Sequence, residues 1–262
     1  MLRAFSTAAT GMDAQQKIVD VISNNLANIN TTGFKRSQID FQDLMYVKLQ
    51  QAGTTVGAGT NLPTGLELGS GVKAASTLKV FSSGELDNTG RDLDIAILGS
   101  GFLQVTHPSG QTMYTRDGSL RMDENGNLTT STGYRIEPNI TIPADWKGIT
   151  IGSDGTVSVS TGSNSIPQEI GQIQLARFAN PSGLTSEGGN LYSETQASGS
   201  PTTGTPGEEG LGSIEQQFLE KSNVQMVTEL VRLISAQRAY EINSRAIKAG
   251  DEMLSTANTM VS

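Results

Sequence analysis

The side chains able to do covalent chemistry are few. The chain has one histidine, His107, and no cysteine. A Ser-His-Asp arrangement or a zinc centre needs partners that a single imidazole cannot supply, and His107-Pro108-Ser109-Gly110 reads as a solvated turn. Asp123-Glu124-Asn125-Gly126-Asn127 has some of the oxygen ligands of a calcium loop. It lacks their alternation and the distant bidentate Glu, so it reads as a tight hairpin. Gly99-Ser100-Gly101 follows a strand without the third glycine and helix of a dinucleotide site. Asp92 and Asp94 fall on one strand face, whereas a glycosidase needs its two carboxylates across a cleft. These residues predict no enzyme, no cofactor and no metal.

The amide-bearing side chains point elsewhere. Asn24, Asn25, Asn28 and Asn30 cluster at the end of one predicted helix, and Gln237, Arg238, Tyr240, Glu241 and Asn243 lie midway along another. Amides carry donors and acceptors together, so they can bridge neighbouring subunits without strict charge matching.

Those clusters sit on two long helices at the ends of the chain. Met226, Leu233, Tyr240, Ile247, Leu254 and Val261 recur every seventh residue, which keeps one stripe facing a partner helix. Near the start, Phe5, Ala8, Met12, Val19, Ile22, Leu26 and Ile29 recur three and four apart, with Gln15 the polar member of the series. The C-terminal helix is expected from Ser222, where Ser222 and Gln225 form a capping-box pair; Ser213 and Gln216 offer a rival start. Its second stripe carries Asn223, Gln237, Ser244, Asp251 and Asn258, so a lone copy is marginal and depends on packing. The first helix is expected to end near Asn30-Thr31-Thr32-Gly33, with Gly33 left-handed.

Between the helices, residues 39–49 are compatible with either a short helix or an extended stretch. From Gln51 to Ser76 a connection dense in Gly and Thr carries no period, and connections that long inside a domain tend to be functional or disordered. From about Thr77 to Glu220 short apolar runs alternate with Asp-Gly and Asn-Gly turns, predicting an antiparallel all-β domain. Strands are expected at 94–98, 102–106, 112–115, 127–130, 156–160 and 173–178, with a second flexible stretch at 195–212. The fold class is α+β: residues 1–38 and 221–262 form a coiled-coil-like helical domain, 39–76 a linker, and 77–220 the β domain.

A net charge of −8 and a pI near 4.7 disfavour nucleic acid as a partner. No apolar run reaches the roughly 20 residues of a membrane span, and the N-terminus lacks the features of a cleavable secretory signal.

Gly11-Met12-Asp13-Ala14-Gln15-Gln16 and the run from Ile22-Ser23-Asn24-Asn25-Leu26-Ala27-Asn28 to Gly33-Phe34-Lys35 resemble the N-terminal signature of the bacterial flagellar rod and hook axial proteins. Leu219-Glu220-Lys221-Ser222-Asn223-Val224 and Gln237-Arg238-Ala239-Tyr240-Glu241-Ile242-Asn243-Ser244 resemble their C-terminal signature. Asp92–Ile97, Gly101–Val105 and Tyr114–Gly118 resemble their central domain, so the likeness covers essentially the whole chain. Leu103 and Leu120 stand where the family commonly has Phe, a conservative core change.

This resemblance implies terminal helices packed as an inner tube with the β domain outside. Phe5, Met12, Val19, Ile22, Leu26, Asn24, Asn25 and Asn28 would then lie at subunit interfaces, with Met226, Leu233, Gln237, Arg238, Tyr240, Ile247 and Leu254. Length and the segment Asp40-Phe41-Gln42-Asp43-Leu44 are most similar to distal-rod members. There the linker, here including Tyr46 and Pro63, wedges between subunits and stiffens a straight tube that carries torque to the hook.

Implied partners are further copies of the chain, proximal rod proteins, the hook protein, the surrounding peptidoglycan and outer-membrane rings, and the flagellar type III export apparatus. The implied location is the basal body, spanning the periplasm, reached without a cleavable signal. Proximal rod or hook subunit, a secreted β-headed adhesin and a wall hydrolase are the alternatives.

Overall fold

The computed structural model describes residues 2–51, 63–162 and 164–261. Residues 52–62 of the Gly- and Thr-rich connection and the side chains of Asn258 and Val261 lie outside what it describes. The chain divides into two compact units: residues 1–26, 37–78 and 225–262 form one, and 27–36 with 79–224 the other. The fold class is α+β.

In the first unit, α1 (Leu2–Ala27) and α2 (Met226–Val261) have 26 and 36 residues, about 39 and 54 Å at 1.5 Å per residue. They pack against each other and run antiparallel. Phe5 lies against Gly250, Gly11 against Asn243 and Asn25 against Glu229. A Cβ on Gly11 would come within 2.9 Å of the Asn243 amide, and one on Gly250 within 2.9 Å of the Phe5 ring. Both glycines are there to let the helices approach. Because Gly250 is already level with Phe5, the last turns of α2 run past the beginning of α1.

The sequence leaves residues 39–49 open between helix and strand, and they are extended. Ser37–Asp43 pairs with Val72–Lys79, and Val47–Gln50 pairs antiparallel with Leu66–Leu68. Part of the stretch read as an aperiodic connection is therefore sheet.

The second unit is built on the strand Phe102–Thr106. It pairs antiparallel with Thr112–Thr115 on one side and with Arg135–Glu137 and Leu175–Arg177 on the other. The turn at its end is closed by Gly110 N–H donating to the His107 carbonyl, with Ser109 N–H donating to the His107 ring. Trp146–Ile151, Thr156–Thr161 and Asn164–Gln172 make a separate antiparallel sheet. Leu103, Val105, Leu120, Val157, Ile173 and Leu175 are fully buried in one apolar cluster with residues of both sheets. Phe81, Phe102, Tyr114, Phe178 and Tyr192 form a second cluster with edge-to-face contacts. The stretch 195–212 is not a loose linker: Thr202–Gly204 pairs with Leu175–Arg177, and Ser198 is buried.

Three local expectations fail for identifiable reasons. The capping box at Ser222 does not form, because Ser222 Oγ accepts from Val224 N–H at 3.3 Å and Asn223 Nδ2 donates to the Val80 carbonyl at 2.8 Å. Those bonds hold 222–224 out of the helix, and α2 starts at Met226. The rival start, Ser213–Gln216, is a strand paired with Ile95–Leu98. Asp92 and Asp94 do not share a strand face either: Asp92 is exposed in a turn, while Asp94 is fully buried and accepts from the Thr89 hydroxyl at 2.6 Å.

Candidate subunit interface

Along α2, Glu229, Asn243 and Gly250 touch α1, and the buried Ala236 falls in the same register. They repeat every seven residues, but they are acidic, small or polar, so no hydrophobic pattern reveals them. The apolar stripe read from sequence flanks this seam. Leu233 and Ile247 are half-buried, whereas Met226, Tyr240 and Leu254 remain 51%, 43% and 38% exposed. Gln237 and Arg238 are exposed. On α1, Ile22 is buried, Phe5, Met12, Val19 and Leu26 are half-buried, and Asn24 is exposed.

Asn25, expected between subunits, is used inside one copy. Its amide donates to the Ser37 carbonyl at 2.9 Å, and its carbonyl accepts Ser37 N–H at 2.8 Å. The same amide reaches Glu229 at 3.4 Å, and Glu229 accepts from Arg232 at 3.2 Å. This pins the start of the strand Ser37–Asp43 and keeps the buried Glu229 partnered. A groove of about 580 Å³ lies beside it, lined by Ile18, Ile22, Phe41, Val231 and Ala236 among others.

Sequence reasoning missed a further face of α2. Val227, Val231, Ile234, Ile242, Met253 and Met260 are all more than half exposed, and Ile234 is two residues, about 200° of helix, from Ala236, which is in register with the residues that touch α1. The signal was present as apolar residues outside the counted stripe. The short pair of strands in the same unit is equally uncovered: Met45, Tyr46, Leu49, Leu66 and Leu68 are exposed. Asp40, Phe41 and Leu44 are half-buried, Asp43 and Pro63 exposed, and Leu44 N–H donates to the Gly71 carbonyl.

In the β unit, the signature residues near Gly33 and Glu220 come together. Lys35 Nζ donates to Glu220 Oε1 at 2.6 Å and to the Ser82 carbonyl at 2.8 Å, and Arg116 lies 3.8 Å from Glu220 Oε2. All three side chains are buried, and burial lowers the basicity of Lys35 and of Arg116 against the opposing pull of Glu220. Asn28 accepts from the Thr31 hydroxyl, closing the turn after α1.

Family models match three stretches of the chain. "Flagella basal body rod protein" matches residues 5–35, "Flagellar hook protein FlgE/F/G D1 domain" 96–159, and "Flagellar basal body rod FlgEFG protein C-terminal" 215–260. The flagellar basal-body rod protein FlgG of Borreliella burgdorferi is 47% identical, with 99% of each chain covered. FlgG of Buchnera aphidicola subsp. Schizaphis graminum is 51% identical over 97% of this chain and 98% of its own. FlgG of Bacillus subtilis is 38% identical over 97% of each. The chain belongs to the flagellar basal-body rod protein family.

Rod proteins are structural components of the basal body, and this one is not an enzyme. Its polar constellations are accounted for as structure. Asp123 caps its hairpin by accepting from Asn125 N–H, Asn127 N–H and the Asn127 amide, bonds that hold its carboxyl below the usual range. Gly99 and Gly101 take left-handed φ of 107° and 146° in the turn into the strand Phe102–Thr106.

Burial pushes the Tyr192 phenol up to about 12 from 10. The native chain therefore keeps a proton that the unfolded chain loses as pH rises past 10, and stability falls across that window by about 3 kcal/mol. Lys35 contributes with the opposite sign, because its proton leaves the native state more easily. Urea midpoints at pH 8 and pH 11 are expected to fall less in Tyr192→Phe than in the native sequence, and equal losses in both would contradict the burial effect.

Proposed function

We propose that this rod protein is a subunit of the distal rod that self-assembles into a straight, rigid helical tube. The tube spans the periplasm and passes motor torque to the hook. The observation that carries the reading is the uncovered apolar surface of the helical unit. A soluble monomer gains nothing from Val227, Val231, Ile234, Ile242 and Met253 in water, while burying each against another copy stabilises a contact by about 1.5–3 kcal/mol. The last turns of α2, which run past α1, have a role only if a neighbouring copy supplies the missing partner. Repetition of one such non-symmetric contact builds a helical tube rather than a closed dimer.

Leu233, Tyr240, Leu254, Gln237, Arg238 and Asn24 belong to that contact in this reading, with Phe5, Met12 and Val19 fixing the helix pair that presents it. The exposed pair of strands, with Tyr46 and Leu49 outward, is the stiffening segment: a two-stranded sheet is marginal alone and becomes firm when wedged between copies. Asp40, Phe41, Asp43, Leu44 and Pro63 belong to the same segment. Its partners are copies of itself, the proximal rod, the hook protein, the encircling rings and the type III export apparatus. The relatives' names and full-length likeness favour the rod over a hook or an adhesin.

Electron microscopy of basal bodies from a strain lacking this chain tests the reading. A shaft that stops short, without outer rings or hook, is the expected result. A complete rod lacking only the hook would move the protein to the hook, and normal basal bodies would overturn the axial role.

A further inference from the structure

The chain passes between its two units at residues 26/27, 36/37, 78/79 and 224/225. Inside the β unit, the segment ends at the last three of these passages are bonded to one another. Val80 N–H donates to the Arg36 carbonyl at 3.0 Å, and Asn223 N–H to the Phe34 carbonyl at 3.4 Å. Gly33 N–H donates to the Glu220 carbonyl at 2.8 Å, Lys221 N–H to the Glu85 carbonyl at 2.8 Å, and Gly84 N–H to Glu220 Oε1 at 2.8 Å. Arg36 N–H donates to Asn223 Oδ1 at 2.8 Å, and the Asn223 amide donates to the Val80 and Ser82 carbonyls. Lys35 and Glu220, with side chains 0% and 1% exposed, sit at the centre.

We propose that Lys35, Glu220 and Asn223 fasten segments 33–36, 79–85 and 220–223 into one clasp. It opens in a single cooperative step, separately from the β core, and frees the passages at 36/37, 78/79 and 224/225 together.

The physical reason is the buried pair. Glu220 Oε1 serves two segments at once, through Lys35 Nζ and Gly84 N–H, and among the described residues Oε2 has only the distant Arg116 for compensation. Pulling 33–36 or 220–223 away strands a charge in a dry site, which is far costlier than losing a hydrogen bond in water, and pulling 79–85 away strips the buried pair of the Gly84 N–H and the Ser82 carbonyl. Partial opening is thereby disfavoured against full opening, in which all the groups reach solvent. Such locally cooperative units are a general feature of native proteins. For a chain that carries torque, as proposed above, the clasp is the element whose opening would end transmission.

Amide hydrogen exchange on the full chain tests this through six amides: Gly33, Arg36, Val80, Gly84, Lys221 and Asn223. They are expected to share one protection factor. In Lys35→Met all six fall together by about 100-fold or more, although none of them bonds to the Lys35 side chain. Leu103 and Val105, in the central strand of the core, stay within about twofold. Scattered protection factors, a change at Gly84 alone, or an equal fall at Leu103 would overturn the proposal.

Asn223→Ala is the milder variant, expected to lower Gly33, Gly84 and Lys221 by about 10-fold although they do not bond to the Asn223 side chain. Their remaining unchanged, or neither variant folding, would equally overturn a separable clasp. The exchange result concerns the clasp alone, whereas the deletion strain tests the torque-bearing role.

Discussion

Ile234→Asp is expected to abolish rod assembly while leaving the isolated chain folded. Ile234 is 51% exposed on α2, on the side away from the seam with α1. In the monomer a carboxylate there stays hydrated. The cost is the difference in helix propensity, about half a kcal/mol, with about 1 kcal/mol for the covered half of the side chain. In the tube the same position would be buried against a neighbour, and an unpaired charge in such a contact costs several kcal/mol. That loss recurs at every subunit added, so growth stops rather than slows.

The check is a pair of measurements: a thermal melt of the purified chain, expected to match the native one closely, and microscopy of basal bodies, expected to lack the distal shaft. Normal rods built from the variant would remove Ile234 from the interface. Leu233→Asp should also block assembly but discriminates less well, because Leu233 is already half-buried within one copy.

Gly33→Ala is expected to destabilise the β unit by about 2 to 5 kcal/mol. Gly33 has φ of +65°, a conformation that costs an L residue roughly 1–2 kcal/mol. A Cβ there would stand 2.7 Å from the Arg116 carbonyl carbon and 2.8 Å from the Asp117 nitrogen. Both are backbone atoms that cannot rotate aside, and overpacking of that kind costs about 1–3 kcal/mol more. Gly133→Ala supplies the control, since Gly133 has φ of +88° but open space around it, and only the conformational part should appear. Trp146, the sole tryptophan and part of the β unit, reports urea unfolding by fluorescence. Equal losses at the two glycines would show that the contact with Arg116 is slack.

Gly33 also illustrates how a correct local reading can carry the wrong reason. The sequence predicts a left-handed glycine closing α1, and the residue is left-handed. Yet α1 ends at Ala27, six residues earlier, because Asn28 and Thr31 bond to each other and turn the chain first. Gly33 is required instead by the close approach of Arg116, a residue 83 positions away in the sequence, and no local pattern encodes that.

Asn25 follows the same logic. Its amide suggests a bridging role, but whether it bridges copies or strands depends on where Ser37 and Glu229 arrive. Ser222 with Gln225 satisfies the spacing of a capping box, yet bonds made by Asn223 to Val80 and Ser82 decide that the helix begins later.

What the sequence determined by itself was everything set by short-range periodicity and turn chemistry: two long terminal helices, the strands at 102–106 and 112–115, and the hairpins at Asp123 and His107. Its signatures also carried the family. These follow from preferences of neighbouring residues, which act before any long-range contact forms.

The tertiary structure alone decided which face of α2 meets α1. That seam is made by Glu229, Asn243 and Gly250 with Ala236 in register, residues chosen for small volume and polar fit rather than hydrophobicity, and a helix can present several seven-residue stripes at once. It alone brought Lys35 to Glu220 across 185 residues. A buried ion pair has no sequence spacing to betray it, because its energy depends on desolvation that only the assembled fold provides.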